Sequence, residues 1–325
     1  MKLRWILITV LMIICSILPG RGFSSLRDAS RTRGFANANG YAISGITSHP
    51  NFQIKARDLH LQQTNYIGQN RMNLEKSDNS RLKILLPLYS YPNWYDRKKY
   101  LWKQVVAVAR KATIVAIINP NNGPDRAPPN RDYQQGIKDL HQAGIKMVGY
   151  VPSNYANRDL QAVKTDIDLY AKYFQVDGIF IDEMSSNREK VDYYHQLYRY
   201  IRAKSPQYLV IANPGTIVDE TYISQQVADL TVLFENNLQA WENYQPPAYT
   251  KKYSPQRFAA LIHTAPNRKL MKNILDRTKK DRFGYIYITN DSTNTPNQNP
   301  WDSLPEYWQA QVNYIHKLNN AESKE

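Results

Sequence analysis

Cysteine is almost missing: the 325 residues hold one, Cys15, and it lies inside the first apolar run. A disulfide framework, and a cysteine nucleophile in the body of the chain, are therefore excluded. Glycine is sparse at 13 residues, and none of it forms the Gly-x-Gly-x-x-Gly or Gly-x-x-x-x-Gly-Lys order that follows a strand in nucleotide-binding sheets. No Gly-x-Ser-x-Gly elbow is present, so an α/β-hydrolase triad has no nucleophile. The six histidines include no zinc-type pair, and no calcium-loop pattern occurs. After residue 83 there is no block of lysine and arginine either.

That last gap matters because the chain as a whole carries +14. Residues 1–83 hold twelve basic and four acidic side chains, or +8, which leaves about +6 for the remainder. A nucleic-acid partner is thus not expected, and the basic excess reads as weak attraction to an acidic surface. Residues 1–20 begin with Lys2 and Arg4 and continue into the apolar run from Trp5 to Leu18, the pattern of a signal peptide or an N-terminal membrane anchor. Residues 21–81 are rich in Ser, Asn, Gln, Gly and Arg with no apolar period, which predicts a disordered spacer. The expectation is a secreted or envelope-bound monomer whose working part is 82–320.

In that part strand and helix signals alternate. Strands are predicted over 84–89, 113–119, 146–151, 176–182, 208–213, 229–235, 258–263 and 284–289. Helices are predicted over 100–110, 133–143, 160–174, 189–204, 219–226, 238–244, 267–278 and 305–318. Eight such units in about 240 residues predict a (β/α)8 TIM barrel, with an open doubly wound sheet as the alternative.

A barrel's active site sits at the C-terminal ends of its strands, so the residues found there become the candidates. The fourth strand ends in adjacent carboxylates, Asp182 and Glu183, whose side chains start out on opposite faces. The sixth ends in Glu235. Around them stand the strand-end polar and aromatic residues Tyr89, Tyr91, Trp94, Asn119, Asn122, Tyr150, Asn154, Tyr155, Asn213, Trp241 and His263, with Tyr244 and Trp301 as further aromatics. Carboxylates, amides and aromatic faces together suit a sugar: two carboxyl groups flank the scissile bond, amides bind hydroxyls, and rings stack on C–H faces. Burial beside another negative charge would raise the pKa of Glu235 and suit it to acid/base work. This chemistry calls for no cofactor and no metal. Binding of Mg2+ or Ca2+ by the same acids, in a phosphodiesterase, is the competing chemistry, and a helix-capping role for Asp182 and Glu183 is the structural one.

The runs Pro87-Leu-Tyr-Ser-Tyr-Pro92, Ile118-Asn-Pro-Asn-Asn-Gly-Pro124, Gly149-Tyr-Val-Pro-Ser-Asn-Tyr155, Gly178-Ile-Phe-Ile-Asp-Glu183, Asn213-Pro-Gly-Thr216 and Phe234-Glu235 resemble, in this order, the spherulation-specific family 4 (spherulin-4-like) proteins. The resemblance covers about 84–318. It implies a (β/α)8 glycoside hydrolase, similar to enzymes that cleave galactosamine-containing microbial exopolysaccharides such as galactosaminogalactan within the chain. It also implies that the essential acids fall on Asp182, Glu183 and Glu235. Pro152 departs from the smaller polar residue expected in some members. The rival class is a catalytically silent carbohydrate-binding or envelope protein on the same barrel.

Overall fold

The computed structural model describes residues 80–293 and 299–321. The predicted leader, and the spacer up to residue 79, lie outside the described residues. The rest is a closed barrel of eight parallel strands in sequence order. They are β1 (Lys83–Leu88), β2 (Ile114–Ile118), β3 (Lys146–Pro152), β4 (Gly178–Asp182), β5 (Leu209–Ala212), β6 (Leu230–Asn237), β7 (Phe258–His263) and β8 (Tyr285–Ile288). Closure comes from β8 pairing with β1, Lys83 opposite Tyr285 and Ile84 opposite Ile286. Between and after the strands run α1 (Leu101–Val106), α2 (Arg131–Gln142), α3 (Leu160–Tyr173), α4 (Val191–Lys204), α5 (Thr221–Ser224), α6 (Leu238–Asn243), α7 (Arg268–Lys280) and α8 (Trp308–Ala321). All eight predicted strands and eight predicted helices are present, most of them within two or three residues of the expected ends.

The local reasons are ordinary ones. The strands are continuous apolar runs because a barrel strand is buried on both faces, by the packed interior and by the helix layer. The helices carry their apolar residues at i, i+4 and i+7, such as Tyr133, Ile137 and Leu140 on α2, or Val163, Ile167 and Tyr170 on α3. Asn130, Asp159, Asn237 and Asn267 cap α2, α3, α6 and α7 by accepting a first-turn N–H. Gly178 is demanded by close approach: a Cβ there would lie 2.0 Å from the carbonyl oxygen of Leu209 on β5.

Two irregularities bear on the site. The register of β6 against β7 shifts between Val232 and Phe234, a bulge just before Glu235. β3 runs on to Pro152, which pairs with Asp182, and the chain then turns with three consecutive positive φ angles, 47° at Asn154, 55° at Tyr155 and 63° at Ala156. Left-handed backbone costs a non-glycine residue roughly 1–2 kcal/mol, so these residues are held there by their surroundings. Glu183 at φ 51° and Thr264 at φ 58° hold the same conformation after β4 and β7. Among the described residues no helix is long and apolar enough to cross a membrane.

Candidate active site

At the C-terminal mouth lies a cavity of about 410 Å³, lined by Tyr155, Asp182, Glu183, Asn213, Pro214, Gly215, Glu235, Asn236, His263, Thr293, Pro300 and Trp301. Asp182 closes β4, Asn213 follows β5, and Glu235 lies past the bulge in β6, so three neighbouring strands deliver the central groups.

Asn213 joins them. Its Nδ2 donates to Oδ1 of Asp182 and to Oε2 of Glu235, both at 2.6 Å. Only the amide nitrogen can face two carboxylate oxygens, which leaves Oδ1 of Asn213 buried with no partner among the described residues. Because one atom touches both oxygens, these lie no farther apart than twice 2.6 Å. Glu235 is held from its other side by Trp301, whose Nε1 donates to Oε1 at 3.0 Å. Gly215 lets the backbone close over it: at φ 63° its missing Cβ would stand 3.4 Å from Cβ of Glu235.

The environments separate the two acids. Burial first, and the charge of Asp182 second, push Glu235 up to about 7, against the pull of Asn213 and Trp301. Asp182 is also raised, chiefly by burial, but it takes opposing hydrogen bonds from the Tyr150 hydroxyl, the backbone N–H of Glu183 and Asn213. Burial and the charge of Asp182 hold the Tyr150 phenol far above its usual range, so it remains a donor. Tyr89 packs edge-on against Tyr150 with ring centroids 5.8 Å apart, and its own pKa is raised by burial and then by Asp182 and Glu235. His263, its Nδ1 2.7 Å from Oγ1 of Thr264, is held below its usual pKa by burial, which favours neutral imidazole. Among the described residues no cluster of three or more His, Cys, Asp or Glu side chains is placed to hold a metal ion.

Of the residues singled out in the sequence, Asp182, Glu183, Glu235, Tyr155, Asn213 and His263 line the cavity, and Tyr89 and Tyr150 stand beside Asp182. Others go elsewhere. Tyr91 and Trp94 clasp Asp132 instead, donating to its two carboxylate oxygens at 2.6 and 2.7 Å. Asn119 accepts from the N–H of Gly123 and shapes its own turn, and Asn122 is an exposed loop residue. Asn154 contributes its backbone N–H, which donates to Oε2 of Glu183 at 3.2 Å.

Trp241 is a correction. It is 1% exposed, stacked on Tyr244, edge-on to Phe234 and Phe283, and covered by the guanidinium of Arg277 4.8 Å above its ring. The cap at Asn237 starts α6 immediately after β6, and that turn points Trp241 into the helix-layer core instead of the mouth. Trp241→Ala is accordingly expected to lower stability by about 3–5 kcal/mol and leave KM unchanged, which denaturant titration and kinetics would check. Trp301 also differs from the plain sugar-stacker expected of it, since its ring lies against His263 and Tyr287 while its N–H grips Glu235. A hydrogen bond to a charged acceptor is worth about 1.5–3 kcal/mol. Trp301→Phe keeps an aromatic ring there but loses the bond, so Glu235 should hold its proton to higher pH. The expected result is an alkaline limb of the rate profile shifted upward and kcat reduced on the order of tenfold; an unmoved limb would show that the bond does not tune Glu235.

The pattern of spherulation-specific family 4 matches residues 83–315, nearly the whole barrel. Spherulin-4 of Physarum polycephalum is 32% identical over 247 residues, which cover 73% of this chain and 71% of that protein. Among solved structures, Sph3 of Aspergillus clavatus in complex with GalNAc superposes with a TM-score of 0.63 at 24% identity, covering 73% of this chain and 98% of the other. A match over nearly the whole barrel, with 32% identity to Spherulin-4 across most of both chains, shows that the chain belongs to spherulation-specific family 4.

Proposed function

We propose that this protein is an exported, endo-acting glycoside hydrolase that cleaves an amino-sugar-containing exopolysaccharide of the galactosamine or N-acetylgalactosamine type with retention of configuration. The observation that carries the reading is the pair Asp182 and Glu235 bridged by one amide nitrogen. Retaining enzymes hold their carboxyl groups roughly 5–5.5 Å apart, whereas inverting ones leave roughly 6.5–9.5 Å for an attacking water. The bridged oxygens of Asp182 and Glu235 lie within twice 2.6 Å of each other, which supports the shorter, retaining spacing. A protein that only binds sugar has no need of two acids at this spacing.

Asp182, with three donors on its carboxylate, is the group that works ionised, and Glu235, raised to about 7, is the group that carries a proton at neutral pH. In the first step an oxygen of Asp182 attacks the anomeric carbon while Glu235 gives its proton to the departing glycosidic oxygen, leaving a glycosyl ester. In the second, the Glu235 carboxylate takes a proton from water, water oxygen attacks the same carbon, and the ester bond breaks back to the Asp182 carboxylate. The amino-sugar assignment is supported by the GalNAc held in the Aspergillus clavatus relative, and export by the apolar run behind Lys2 and Arg4. The test is incubation of the full chain with purified microbial exopolysaccharides, following oligosaccharide release and the configuration of the new reducing end by NMR. Release of inverted product would overturn the assignment of Asp182, and no release from any amino-sugar polymer would overturn the substrate class.

A further inference from the structure

We propose that Glu183 is a positioning residue, and that the group it positions is Tyr155, whose exposed ring forms the cavity wall against which a pyranose of the polysaccharide stacks. This rests on the hydrolase reading for its ligand, though not for its geometry. Four aromatic side chains among the described residues are well exposed, Tyr91, Trp94, Tyr95 and Tyr155. Tyr155 alone of these lines the cavity that holds the carboxylates. A large ring left 58% exposed at the mouth of a polar cavity is unusual unless something covers it in use, and the C–H face of a sugar ring is the surface that matches it.

What holds the backbone that carries this ring is Glu183, through its carbonyl and, at Asn154, its carboxylate. The backbone carbonyl of Glu183 accepts from the N–H of Tyr155 at 2.6 Å and from Oγ of Ser153 at 2.8 Å. Its carboxylate accepts from the N–H of Asn154 at 3.2 Å. Ser153 is fully buried; its N–H donates to the carbonyl of Asp182, which also shares the one Ser153 hydroxyl proton with the carbonyl of Glu183, and its Oγ lies 3.1 Å from the Tyr194 hydroxyl. The left-handed turn 154–156 is thus stitched to the end of β4 through Glu183, itself left-handed at φ 51°. Backbone held in such conformations by several partners marks a place where orientation of a side chain matters. The Glu183 side chain has its bond to the turn, while Asp182 and Glu235 share Asn213. The chemistry therefore has its two acids without Glu183.

Full-length Glu183→Ala, Glu183→Gln, Tyr155→Ala and the double Glu183→Ala/Tyr155→Ala would be compared on one soluble oligosaccharide cleaved by the unaltered protein. Glu183→Ala and Tyr155→Ala are each expected to raise KM about tenfold with a smaller change in kcat. Glu183→Gln, whose amide oxygen can still accept from Asn154, should recover most of that loss. The double variant should be no worse than the worse single one, as for two residues acting through one contact. A Glu183→Gln variant that loses kcat to the extent of Asp182→Asn, with KM unchanged, would make Glu183 a catalytic acid and overturn the proposal. A crystal structure of Glu183→Ala gives a readout independent of turnover: positive φ lost at one or more of 154–156, and Tyr155 off the cavity wall, is expected. An unchanged turn there would overturn the coupling. If the unaltered protein cleaves no oligosaccharide, the hydrolase reading fails while that structure still decides the link between Glu183 and Tyr155.

Discussion

Asp182→Asn and Glu235→Gln are each expected to reduce hydrolysis by about 100-fold or more, with the thermal midpoint at pH 5 moved by no more than a few degrees. Each substitution removes a reacting oxygen or its proton while keeping the shape of a side chain that Asn213 already grips. The new amide oxygen still accepts from Nδ2 of Asn213, so the strand ends keep their tie. The two losses should not add, because an enzyme lacking its nucleophile has no ester for Glu235 to help hydrolyse. Steady-state kinetics with thermal melts of the two single variants and of the double variant Asp182→Asn/Glu235→Gln would decide. Near-normal turnover in either single variant removes that residue from the mechanism, and unfolding of both would mean that the carboxylates serve structure.

Much of this arrangement was legible in the residue order. The eight apolar runs ending in polar or acidic residues carried the barrel, since a strand buried on both faces has few alternatives to Val, Ile, Leu and Phe. The rule that barrel sites lie at strand ends then picked out Asp182, Asn213, Glu235 and His263. Direction was the harder part. Trp241 lies only six residues beyond Glu235, yet the cap at Asn237 and the turn of α6 send it into the core against Phe234. Tyr91 and Trp94 follow β1 closely, yet Asp132, some forty residues on, draws both away from the carboxylates. Trp301 stands 66 residues from the Glu235 oxygen it binds, and no periodicity could announce that bond. The left-handed turn at 154–156 was equally hidden, because Asn, Tyr and Ala carry no glycine to mark it. Local pattern names the element; which way a side chain leaves its end depends on partners distant in sequence.

The acid pair also makes activity and stability depend on pH, and Glu235 carries the larger part of it. For turnover, Asp182 must be ionised and Glu235 protonated, so the rate should fall about tenfold per pH unit on the alkaline side of a limb near 7, the value to which burial and Asp182 push Glu235. For stability the sign follows from proton counts. An unfolded glutamate releases its proton near 4.5, while Glu235 in the fold keeps it to about 7. Between those values the folded state binds the extra proton, and stability therefore declines as pH rises through that window and is level above it. At 1.36 kcal/mol per unit the decline is at most about 3 kcal/mol, reduced by whatever water reaches the cavity. Glu235→Gln cannot titrate and escapes it. The variant should therefore match the unaltered protein near pH 4 and be the more stable of the two at pH 8, even though its turnover is strongly reduced. Comparing the pair by denaturant titration at each pH cancels the titrating groups other than Asp182, whose charge acts on Glu235. An offset of the same size at pH 4 and pH 8 would show that Glu235 ionises in the fold as it does in water, and the acid/base role would then have to pass to another group in the cavity.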